Sequence, residues 1–136
     1  MSIEVDIATA FFSVLENASI VDDDANVLET SFPNVNFNGD KIYLDSSIIP
    51  APVSTLGLSI DIYDGIFQIS IVAWHGIGEL HLLRIAGQIK ALFPRNTYLI
   101  QGTTKIWLER TGWISPAVIS GESYMVPVSI PYKVLD

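Results

Sequence analysis

The chain has 136 residues, of which 49 % are apolar and only 16 % charged, against roughly 25 % charged in an ordinary soluble domain; that bounds it to about one domain with little polar surface to cover a lone subunit. It has no cysteine, which excludes disulfides, thiol nucleophiles and thiolate metal sites together. Seven basic residues stand against fifteen acidic ones, a formal net charge of −8, and no basic run is present to neutralise phosphates, so composition argues against direct nucleic-acid binding.

The first element is a helix over Ile3 to Ala18, with Ala8, Phe11, Phe12, Leu15 and Ala18 on one stripe and Glu4, Asp6, Glu16 and Asn17 elsewhere. Ser2 is placed to cap it, and Glu4 and Asp6 suit its positive end. "VDDDAN" ends it in a polar loop. "PNVNF" and "KIYLD" are short strand candidates joined as a hairpin through the turn "NGD". Ser46 to Leu58 carries two prolines, a glycine and no usable period, and reads as a long apolar connection.

"GIFQISIVAW" follows as a strand, with Phe67, Ile69, Ile71 and Ala73 on one face and Ile66, Gln68, Ser70, Val72 and Trp74 on the other. Its apolar runs fall short of the roughly 18 residues a membrane helix needs, and the acidic start "MSIEVD" is unlike a signal peptide; a soluble, unsecreted chain is expected. "HGIG" turns into a second helix, "ELHLLRIAGQIKALF", with the stripe Leu82, Ile85, Ala86, Ile89, Leu92 and Phe93 and a stop at Pro94. "TYLIQ" and "TKIWLERTG" are two further strands. The last, "YMVPVSIPYKV", buries Tyr124, Val126, Val128, Ile130 and Tyr132 on one face, while Pro127 and Pro131 delete two donors from one side of the ladder, which predicts an edge strand there. The order α-β-β-β-α-β-β-β argues for an α+β domain, residues 1–136, with two helices packed on a mostly antiparallel sheet.

No catalytic constellation emerges. His75 and His81 are six apart, a poor spacing for a helical metal pair. Asp22-Asp23-Asp24 lacks the spacing, glycine and distal glutamate of a calcium loop. "GIG" lacks the lysine and hydroxyl of a phosphate loop, and no serine sits in a nucleophile elbow. Trp74, Trp107, Trp113 and the tyrosines have no basic groove beside them, so packing explains them better than base stacking. No cofactor, metal or catalytic residue is assigned, and an enzyme is not expected.

In order along the chain, "PNVNF", "YLDSSIIPAP", "DGIFQISIVAWHGIGE", "IKALFPRNTYL" and "YMVPVSIPYKV" together resemble the phage tail-terminator-like proteins, a group related in fold to the terminator of phage lambda. Asn96 stands where these proteins commonly carry glycine, and Asn also tolerates φ > 0. The resemblance implies a structural virion protein at the neck-proximal end of the tail, assembled in the host cytoplasm. Its copies would close into a ring, usually a hexamer, that caps the tail tube, ends its polymerisation and presents a joining surface to the head-tail connector or stopper. DNA would pass through an acidic ring without specific binding, and no membrane would be involved. Another neck or minor tail ring component is the alternative, and a small-molecule-binding domain a more distant one. For the subunit interface the residues singled out are Ile48, Ile49, Pro50, Val53 and Leu56 of the apolar connection, with Trp74 and the turn Pro94, Arg95 and Asn96; the competing reading folds them back onto the subunit's own core.

Overall fold

The computed structural model describes residues 2–32, 42–56, 60–74, 76–121 and 123–135. Helix α1 spans Ile3–Asn17. Strands β1 (Thr30–Ser31), β2 (Tyr43–Pro50), β3 (Ser54–Leu56) and β4 (Ile60–Trp74) precede helix α2 (Glu79–Leu92), and β5 (Thr97–Gln101), β6 (Thr104–Leu108), β7 (Trp113–Ile114), β8 (Val118–Ser120) and β9 (Ser123–Leu135) follow it. The strands make one sheet in the order β1-β2-β4-β9-β6-β5, with β3 on β4 and β7 and β8 on β9. Among the described residues only the β1–β2 pair is parallel. The class is α+β, with four short strands that the sequence does not predict: β1, β3, β7 and β8. Two or three residues are too few to show an alternation.

Ser2 Oγ accepts a hydrogen bond from Val5 N–H at 3.1 Å and caps α1. The buried stripe of α1 is Ile7, Ala10, Phe11 and Leu15, rotated from the predicted one so that Asp6 goes inside. Its Oδ2 accepts from Thr104 Oγ1 at 2.7 Å, while Oδ1 has no partner among the described residues. Of the predicted α2 stripe Leu82, Ile85, Ala86 and Ile89 are buried, as is Phe93 just past the helix end, while Leu92 is half-buried. Both stripes join one apolar cluster with Phe67, Ile69 and Ile71 of β4, Val128, Ile130 and Tyr132 of β9, and Ile106 and Leu108 of β6. Phe11 is its hub, with ring centroids 4.5 Å from Phe67, 5.7 Å from Phe93 and 5.4 Å from Tyr132.

The stretch Ser46 to Leu58 is not a connection throughout. β2 runs to Pro50, pairing Tyr43 to Val72 and Pro50 to Gly65, and β3 then pairs Leu56 to Ile60 on the same partner. The period is hidden because Ser46, at 1 % exposure, holds an inward position between Leu44 and Ile48; its Oγ donates to Ser31 O at 3.0 Å, which satisfies a hydroxyl in an apolar row. "PNVNF" and its hairpin turn lie outside the described residues.

β9 is an interior strand, so the expectation that Pro127 and Pro131 mark an edge is corrected. On one side it pairs β4 without a break, from Ile62 opposite Leu135 to Trp74 opposite Ser123. Pro127 faces the other side, where its carbonyl accepts from Ser115 N–H at 2.9 Å. There the neighbours are three short strands. Pro131 falls between Lys133, opposite Trp107 of β6, and Ser129, opposite Trp113 of β7; Pro127 falls between Val128, opposite Ile114 of β7, and Met125, opposite Val118 of β8. A missing N–H is tolerated where a ladder changes partner, the interior equivalent of an edge.

Candidate interaction surfaces

The residues considered for chemistry build an anchor. Gln88 on α2 grips Val21 from both sides, its Oε1 accepting from Val21 N–H at 3.0 Å and its Nε2 donating to Val21 O at 2.8 Å. One turn earlier on α2, Arg84 donates to both carboxylate oxygens of Asp23, at 2.9 and 2.5 Å, and another turn back His81 Nε2 accepts from Asp23 N–H at 3.2 Å. The Arg84 hydrogen bonds hold the Asp23 carboxyl below its ordinary range. Asp22 Oδ1 accepts from Asp24 and Asn26 N–H, folding the loop on itself. These groups tie the loop after α1 to α2, and no cluster of three metal-ligating side chains occurs among the described residues.

The residues singled out for an interface do not form one surface. Ile48 is half-buried against the core. Ile49 and Val53 are 49 % and 50 % exposed and Pro50 is exposed, and Leu56 lies in β3 beside them in sequence. Trp74, 45 % exposed, ends β4 far from them. Ile49 lies opposite Ile66 of β4, and the run from Ile66 to Trp74, at about 3.3 Å per residue, separates it from Trp74 by about 26 Å along the strand. At the same end of the sheet as Trp74, Val118 and Ile119 of β8, across β9 from β4, and Leu80 at the start of α2 are exposed. Adjoining clefts lined by Trp74, Ile77, Leu82, Pro116, Ala117 and Tyr124 run between α2 and the β7–β8 segment.

The turn Pro94, Arg95 and Asn96 belongs to a third region. All three are exposed, and Asn96 takes φ 62°, the left-handed conformation expected of an asparagine in glycine's place. Asn96 N–H donates to Leu108 O at 2.6 Å and its Oδ1 accepts from Trp107 Nε1 at 3.2 Å, fastening the turn to β6. On the outer face of the β5–β6 hairpin Tyr98 stacks on Trp107, centroids 6.4 Å apart, and Ile100 lies opposite Lys105. Tyr98 and Ile100 are exposed. Sequence reading missed them and Ile60, although "TYLIQ" shows the alternation; with no polar residue at 98 or 100, nothing said which face was wet.

Near Ile49 and Val53, a cavity of about 100 Å³ lies between Glu4 and Ile7 of α1, Pro50 and Val53, and Tyr63, Asp64 and Tyr132. Gly65 makes this packing possible. A methyl group there would fall 2.5 Å from Ile49 O and 2.8 Å from the Tyr132 hydroxyl. Burial, with the charges of Asp64 and Glu4, pushes that hydroxyl up to about 12.

No helix among the described residues is long and apolar enough to cross a membrane. No curated protein matches the sequence. A solved chain known only by a sequence label is similar at 24 % identity with a TM-score of 0.77, over 98 % of this chain and 96 % of that one. A second, from the virion of a native gene transfer agent particle, is similar at 10 % identity with a TM-score of 0.70, over 99 % of this chain and 98 % of that one. At such identities the likeness is one of fold. The phage tail terminator protein family matches over residues 6–132, and on that match the chain belongs to this family of structural tail proteins.

Proposed function

We propose that copies of this chain close into a ring, a hexamer, that seats on the end of the tail tube, stops its polymerisation and offers the opposite surface to the head-tail connector. The observation that carries the reading is the set of separated, unlike apolar surfaces on a small family member: the Ile49, Val53 and Ile60 end, the Trp74, Leu80 and Ile119 end, and the outer face of β5–β6. A cyclic ring uses two different lateral surfaces per subunit and keeps others for its axial neighbours. With a net charge of −8, a channel through such a ring repels DNA from its wall and lets it pass.

Electron microscopy of particles made without the protein tests the role. Overlong or unjoined tails are expected. Filled heads that leak DNA beside tails of normal length would make it a stopper instead.

A further inference from the structure

Charge is not spread evenly over the molecule. Lys90, Arg95, Lys105 and Arg110 fall between residues 90 and 110 with Glu109 the only acid, which leaves three basic residues against fourteen acidic ones in the rest of the chain. Of those three, Arg84 is paired to Asp23 and Lys133 to Glu109, and Lys41 lies outside the described residues. Arg95, Lys105 and Arg110 are exposed and have no ion-pair partner among the described residues. Arg95 and Lys105 sit with Tyr98, Ile100 and Trp107 at the β5 end of the sheet, a surface that is cationic and apolar at once, while Arg110 lines a cleft toward Pro50 and Asp64.

The opposite flank carries the complement. Across β9 and β4 from the hairpin, the β2–β3 turn exposes Ile49, Pro50 and Val53, flanked by Ile60 and by the carboxylates of Glu4, Asp61 and Asp64. Glu4 and Asp64 both line the cavity of about 100 Å³ there, whose other walls are Ile7, Pro50, Val53 and two tyrosine rings. An arginine fits such a place in both its parts, the stem against the apolar wall and the guanidinium toward the carboxylates.

We infer that the Arg95, Tyr98, Lys105 face of one copy docks on the Glu4, Val53, Asp64 flank of the next, an assignment that rests on the ring reading. Two molecules of charge −8 repel unless their contact joins unlike charges. A two-fold dimer through either surface would lay like on like. A head-to-tail contact pairs the cationic face with the acidic flank at every step, and it makes a ring where its rotation closes.

The test is a charge swap read by native mass spectrometry and light scattering. Arg95→Glu/Lys105→Glu and Glu4→Lys/Asp64→Lys are prepared separately, each checked for wild-type near-ultraviolet circular dichroism. Each alone is expected to self-associate at least tenfold more weakly than wild type. Mixed in equal amounts they regain assembly with the two variants alternating, because each reversed surface then meets its reversed partner. Wild-type assembly in either variant alone, or no recovery in the mixture, overturns the surface assignment while the ring stands. A wild type that stays monomeric at every concentration, alone and with tube protein, overturns the ring reading itself.

Discussion

Gly65 and Tyr132 set the geometry of the β2–β3 turn. They are cross-strand partners in β4 and β9, and the tyrosine covers the place where a side chain would otherwise stand. Gly65→Ala puts a methyl against the backbone of Ile49 and Pro50, which has no free side-chain rotation with which to yield; a loss of about 3 kcal/mol is expected in urea unfolding. Because burial and the Asp64 and Glu4 charges favour the neutral phenol in the folded chain, the Tyr132 contribution is fully present below the ordinary tyrosine value of 10 and is lost as pH rises from 10 through about 12. Tyr132→Phe should flatten that alkaline fall when denaturation midpoints are compared across the interval; an unchanged slope would remove Tyr132 as its source. Sequence reading put Gly65 in a strand and Tyr132 on a buried strand face, as found, but their pairing was illegible, because the partner lies 67 positions away.

Among the elements, those that declare their own period were legible and those defined by a neighbour were not. α2 and β5 follow their patterns to within a residue of the expected bounds. β2 hides behind the inward Ser46, whose hydroxyl needs a carbonyl of β1 to be tolerable, and α1 turns Asp6 inward because Thr104 waits there. Its buried but half-satisfied carboxylate makes a test: Thr104→Val removes the one donor and should cost about 1–3 kcal/mol. The loop after α1 is likewise held from outside. Gln88→Ala leaves both polar groups of the Val21 backbone without their partner, and we expect a loss of about 1–3 kcal/mol with faster amide exchange concentrated in residues 20–28. Uniform exchange across the chain would deny the anchor its role. In β9 the prolines taught a one-sided lesson correctly and a location wrongly, because a strand side broken among three partners makes the same demand on backbone donors as an edge.

For the whole molecule, the class, the absence of a recognisable reaction centre in the sequence and the family resemblance were open to reading, and the family match bears the last of these out. The surfaces were not, because sequence places Ile49 and Trp74 in neighbouring segments while the sheet sets Ile49 opposite Ile66, well along β4 from Trp74. Folding thus divides one imagined interface into separate regions, which the ring we propose would use as lateral and axial contacts. Tube length measures that claim most directly. Purified tail tube protein is polymerised with increasing amounts of this chain, and the lengths are read by electron microscopy. The account predicts that tubes shorten with the amount added and carry a ring at one end only; tubes of unchanged length with no protein at their ends would contradict it.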